Sequence, residues 1–175
     1  MLSSSRAFAG HVAAAASVVF VAVAALVLAL APRAVRAQEP VSCNKAACPA
    51  GASVKTTPDP SEKDYFYACQ TEAQSAYTNF VEAAIAMNAM AFTPLATSPA
   101  TGDPVLKGKA QAHLDQLRAA SGAKTFQEAL GHCRQKTQPE RVTVVQNPAG
   151  SGQLLVRDAA GAQAWMPKGY AEPAK

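Results

Sequence analysis

Four cysteines, Cys43, Cys48, Cys69 and Cys133, set the tightest limit on what this chain can become, because all four lie downstream of its long apolar run. That run covers residues 12 to 31 and holds only Ala, Val, Leu, Phe and one Ser. Arg6 precedes it and Pro32 breaks any helix behind it. Val35, Arg36 and Ala37 then place small or moderate side chains where a signal peptidase inspects. Basic, apolar, then small is the order of a secretory signal. The expectation is cleavage after Ala37 and a periplasmic or secreted bacterial protein that begins at Gln38. A retained anchor is the alternative, since a run of 20 apolar residues can span a bilayer. Pro32 and the Ala-rich flank favour cleavage. Cys43 follows Pro40, Val41 and Ser42 without the leucine of a lipoprotein site, so no lipid anchor is expected.

Export to an oxidising compartment turns an even number of cysteines into a disulfide framework. Four cysteines allow three pairings, and spacing alone does not choose among them. The favoured set joins Cys43 to Cys48 and Cys69 to Cys133. On the chain-entropy model the long bridge is worth about 4 kcal/mol and the short one about 2 kcal/mol. The chemical alternatives are weaker. Cys43 and Cys48 are not in a Cys-x-x-Cys redox motif, zinc ligands pair more closely, and no Cys-x-x-Cys-His haem site is present.

Removing the leader changes the electrostatics. The full chain carries 16 basic and 12 acidic residues, a formal +4. Arg6, Arg33 and Arg36 belong to the leader and no acidic residue does, which leaves 13 basic against 12 acidic groups. A near-neutral chain has no electrostatic argument for nucleic acid or for an anionic membrane. The membrane enters only through the leader, if it is not cleaved.

The expected architecture is one α+β domain, a small three-helix core with a C-terminal antiparallel β-ribbon, stapled by disulfides. Residues 38 to 60 hold Pro40, Pro49, Gly51, Pro58 and Pro60 and read as an irregular arm. Residues 61 to 138 read as the helical core. Ser61 is a candidate N-cap, with Glu62 and Asp64 in a first turn. Phe66, Cys69, Ala73, Tyr77, Phe80, Val81 and Ile85 then follow at helical spacing, predicting a helix from Ser61 to about Met90. Residues 93 to 105 are a loop. A second helix covers residues 110 to 119 with Leu114 and Leu117 inward, and Gly122 closes it. Thr125 and Glu128 form a capping box for a short third helix through about Cys133. Residues 139 to 167 read as strand, turn, strand and a further strand, with Trp165 as apolar anchor. Residues 168 to 175 are expected to fray.

Motifs that carry chemistry are sparse. Ser121-Gly-Ala-Lys124 matches the Ser-x-x-Lys nucleophile pattern, but no Ser-Asp-Asn or Lys-Thr-Gly completes it, and an interhelical turn explains it better. Met87 and Met90 sit one helical turn apart and are weak candidates for cuprous copper, with Met166, His113 and His132 as conceivable partners. Gap-filling methionines are the plainer reading. His132 adjoins Cys133, yet neighbours in a helix point about 100 degrees apart. Tyr65 and Tyr67 flank Phe66, and the tyrosines are the candidate interaction site. There is no phosphate-cradling loop, no His-Glu-x-x-His and no nucleophile elbow. No cofactor is expected. The leading expectation is a non-catalytic interaction or accessory module of the cell envelope, its partner another envelope or secreted protein. A small-ligand or copper-binding protein is the alternative, and an exported hydrolase the second.

Overall fold

The computed structural model describes residues 41–92 and 94–174. The leader and its cleavage site lie outside the described residues. Seven strands and three helices follow one another as β1 (Ser53–Thr56), β2 (Phe66–Cys69), α1 (Glu72–Met90), α2 (Gly108–Ser121), α3 (Phe126–Leu130), β3 (Cys133–Lys136), β4 (Arg141–Gln146), β5 (Gln153–Arg157), β6 (Gln163–Pro167) and β7 (Ala171–Pro173). The strands form one sheet in the order β3-β2-β6-β5-β4-β1-β7, every neighbouring pair antiparallel. The α+β class, the three helices and the two disulfides agree with the sequence reading.

The sheet curls on itself. β2 and β7 are five strand spacings apart, about 24 Å in a flat sheet. Yet the Phe66 ring of β2 lies 5.0 Å from that of Tyr170, the residue before β7. Alternation decides what the curl encloses. Val54, Phe66, Ala68, Val142, Val144, Leu154, Val156, Met166 and Ala171 all face inward and share one buried cluster. The Cys43–Cys48 bridge packs into the same cluster, both residues nearly sealed from solvent.

The outer face of β2, β5 and β6 carries α1. Trp165 of β6 is half-buried there, opposite Cys69 and Leu155. The far side of α1 meets α2 and α3 in a second apolar cluster built on Tyr77, Val81, Leu114 and Ala129. α1 is thus a middle layer with two differently made faces. Its helical side is apolar. Its sheet side is a polar stripe, Ser75, Thr78, Asn79 and Glu82. Ser75 donates to Gln153 at 2.7 Å, and Thr78 lies 3.3 Å from the Cys69 sulfur. Asn79 accepts from the Tyr67 N–H and donates to the Tyr67 carbonyl, both at 2.8 Å. β2 pairs with β6 only at Cys69. Asn79 therefore serves the β2 backbone where the neighbouring strand has diverged.

Five sequence expectations are corrected. The first helix does not start at Ser61. Asp59 accepts from the Ser61 N–H and hydroxyl and caps a 3-10 turn, Pro60–Glu62. Those bonds hold the Asp59 carboxyl below the usual carboxylate range. Residues Phe66–Cys69 are a strand, and α1 begins after Thr71, which forms a reciprocal capping box with Gln74. The arm from 38 to 60 contains β1, held between β4 and β7. The core from 61 to 138 includes β2 and β3 as well as helices. The third helix stops at Leu130, because Gly131 turns the chain and Cys133 opens β3. The tail from Lys168 is not frayed, for a 3-10 turn leads into β7, which pairs with β1. The predicted ribbon is the middle of the larger sheet.

Cys69 and Cys133 stand directly opposite each other on β2 and β3 and are bridged. Cys43 and Cys48 are bridged as well, and among the described residues no cysteine is free.

Candidate functional site

Two surfaces stand out, one convex and one concave. The convex one follows from the stripe that α1 lays on the sheet. Ser75, Thr78, Asn79 and Glu82 recur at steps of three and four. The same steps continue to Ile85, Ala86, Ala89 and Met90, and there the character inverts. The part of the stripe bonded to the sheet is polar, whereas the part beyond it is apolar and exposed. Ile85 is 42% exposed, Met87 65% and Met90 73%. Phe92, just past the helix, is 94% exposed. Four of the six large hydrophobic side chains exposed among the described residues lie in this short segment.

Phe92 adds a backbone cost. Its φ is +51°, the left-handed region that glycine occupies without penalty at helix ends. A β-carbon there costs about 1 kcal/mol. No charged residue occurs between positions 83 and 102.

Beside this end of α1 lies a groove of about 260 Å³, lined by Tyr65, Asn79, Glu82, Ala83, Ala86 and Tyr170 among others. Tyr65 forms part of its wall. The Tyr65 hydroxyl donates to Glu82 at 3.0 Å, and its ring meets Tyr67 edge-on at 5.9 Å. Burial, then the Glu82 carboxylate, pushes the Tyr65 phenol up to about 12. The strand puts Phe66 on the inner face of the curled sheet and leaves Tyr65 and Tyr67 half-buried on the α1 side. The tyrosines thus adjoin the apolar end of α1 without forming it.

The concave surface is a pocket of about 470 Å³ on the inner face of the curled sheet. Phe66, Ala68, Val142, Val156, Ala164 and Met166 line its floor. Its rim carries His132, Arg134, Lys136, Glu140 and Asp158. Arg134 and Lys136 reach it because they stand opposite Ala68 and Phe66 in the β2–β3 ladder. Lys136 pairs with Glu140 at 2.8 Å. Asp158 accepts from the N–H groups of Ala160 and Ala162, each at 2.9 Å. The pocket lining includes no hydroxyl side chain, and its two cysteines are joined to each other.

The other sequence candidates are dispersed. The Ser121 hydroxyl donates to the Arg118 carbonyl at 2.7 Å and accepts from the Ala123 N–H at 3.2 Å, the work of a helix-end residue. His113 stacks edge-on with Phe80 at 5.1 Å. Met87 and Met90 do not fill core gaps but project outward. Met166, proposed beside them, is buried on the inner face of the curled sheet. Among the described residues, no group of three or more His, Cys, Asp or Glu is arranged to hold a metal ion.

Sequence reasoning missed the overhang because it merged β2 with α1. The apolar stripe drawn through Phe66 and Cys69 hid the separate stripe that ends at Ile85, Ala86, Ala89 and Met90. The absence of charge from 83 to 102 was the signal available. The pocket left no local signal, since its lining comes from five strands. Compared with known proteins, the chain matches no family model, no curated protein and no solved structure.

Proposed function

We propose that the chain is an exported, non-catalytic interaction module of the cell envelope, and that the overhanging end of α1 is the face it offers to another envelope or secreted protein. The observation that carries this reading is the inversion along one helical stripe, polar where it is covered and apolar where it is bare. A helix face turned to water is ordinarily polar. Large exposed apolar patches mark contact sites in soluble proteins. Methionine suits a contact face because its flexible, polarisable side chain adapts to the opposing surface. The uncharged stretch favours a low-charge protein face over anionic lipid, which is held through Lys and Arg. Export is supported by the basic-apolar-small leader and by two disulfides, which persist in oxidising compartments.

Charge on the exposed end of α1 tests the proposal. A chain carrying Met87→Glu and Met90→Glu is expected to keep its stability within about 0.5 kcal/mol, as exposed substitutions do. The same chain is expected to lose its heteromeric complex when the host envelope fraction is resolved under native, non-reducing conditions. A complex that survives both substitutions, or one that contains only copies of this chain, would contradict the proposal.

A further inference from the structure

The groove beside the end of α1 has a volume of about 260 Å³. Small-molecule sites begin at about 300 Å³, so a single inserted side chain suits it better than a free ligand. Ala83 and Ala86 of α1 and Pro167 of β6 line it, and both alanines are exposed. The groove therefore offers open apolar surface. Ala83 and Met87 are four residues apart, as are Ala86 and Met90, so groove and methionines share a side of the helix. A protein that covers the methionines passes the mouth of the groove.

Polar groups decide what enters. The Tyr65 hydroxyl donates to Glu82 at 3.0 Å, and the Tyr170 hydroxyl donates to Asp64. Each phenol spends its only proton holding a carboxylate in place, and one such bond leaves most of a carboxylate's acceptor sites open. Among the described residues neither carboxylate is in an ion pair. Lys63 lies on the same rim, so two carboxylates stand against one ammonium and the groove is left negative. One oxygen of each carboxylate already holds a phenol, which disfavours the two parallel bonds of an arginine fork. A lysine ammonium is a compact charge with three donors on a four-carbon stem, and that stem packs along apolar surface.

We infer that the partner met by the end of α1 inserts one lysine side chain into this groove, its stem on Ala83, Ala86 and Pro167 and its ammonium on Asp64 and Glu82. The inference rests on the reading of the α1 end as a contact face.

Carbodiimide coupling in the host envelope fraction tests it, because the reagent joins a carboxylate to an amine only where the two touch. Peptide mapping by mass spectrometry is expected to find Asp64 or Glu82 linked to a lysine of the partner in the complex that Met87→Glu with Met90→Glu dissolves. Asp64→Asn with Glu82→Gln keeps an acceptor for each phenol, and so the fold, but removes the charge. That variant is expected to lose the link and to dissociate at about tenfold higher concentration on serial dilution, the order of a charge-assisted hydrogen bond. A complex that forms without the link, or that the double variant does not weaken, would overturn the lysine and leave the contact face standing. A link to Lys63 of the same chain, or to a free small amine, would overturn the partner as its source. Absence of any heteromeric complex would remove the contact face and the lysine together.

Discussion

At the scale of single residues, polar side chains do work that apolar packing does elsewhere. Asn79 is the clearest case, since its amide pairs both backbone groups of Tyr67 on the edge of β2 that β6 has left, opposite its pairing with β3. Asn79→Ala would leave a donor and an acceptor unpaired in a part-buried place. The expected cost is about 2 kcal/mol in urea unfolding, less than two full desolvation penalties because water partly reaches the site. A loss under about 0.5 kcal/mol would mean that water replaces the amide freely.

The four tyrosines make a second test at this scale. Burial first and a neighbouring carboxylate second raise Tyr65, Tyr77 and Tyr170, through Glu82, Asp103 and Asp64 respectively. Tyr67 is raised by burial and then by Glu82. A raised phenol keeps its proton in the folded chain after the unfolded chain has lost it. Stability is therefore expected to hold below pH 10 or so and to fall as pH rises from about 10 toward 12. Tyrosinate absorbance of the native protein is expected to lag that of the unfolded chain across this range. Coincident titrations would show that the phenols are solvated.

At the scale of elements, what could be read from sequence depended on how local its signal was. The Thr125 N-cap of α3, the Gly122 stop of α2 and the strands around Asn147 to Gly152 are written in adjacent residues, and they were legible, although Glu128 accepts from the Lys124 N–H and does not close the expected box. β2 was not. Phe66, Cys69 and Ala73 match a helical period by coincidence, and Ser61 offers a cap at the expected distance upstream. The deciding signal, Thr71 with Gln74, marks the true start of α1 and competed with the false one. β1 and β7 were missed for another reason. Each is three or four residues long, and each is a strand through distant partners, β1 between β4 and β7 and β7 on β1.

The two bridges also act on elements. Cys43–Cys48 closes a local loop, while Cys69–Cys133 fixes the edge strand β3 to β2 across 64 positions. Replacing Cys69 and Cys133 together by Ala is expected to cost about 4 kcal/mol, and replacing Cys43 and Cys48 about 2 kcal/mol. Denaturant unfolding of the two variants checks the order. A larger loss from the short bridge would show that its packing inside the curled sheet outweighs loop closure.

At the scale of the whole molecule, the architecture separates two surfaces. The curled sheet turns its inner face to a pocket and gives its outer face to α1. Past the residues bonded to the sheet, the last turns of α1 expose Ile85, Met87 and Met90. The residues that define each surface are ordinary Ile, Met, Phe and Arg, and only their placement distinguishes them. The same architecture places Tyr65 and Tyr67, the contact residues expected from sequence, at the border of the α1 surface, where Tyr65 shares a groove with Ala83 and Ala86.

Site-specific photocrosslinking in the native host tests the central claim most directly. A photoreactive residue replaces Met90 in one chain and Ala160, on the exposed turn after β5, in another. The account predicts one discrete adduct with a different exported protein from position 90 and none from position 160. No adduct from position 90, or the same adduct from both positions, would contradict it.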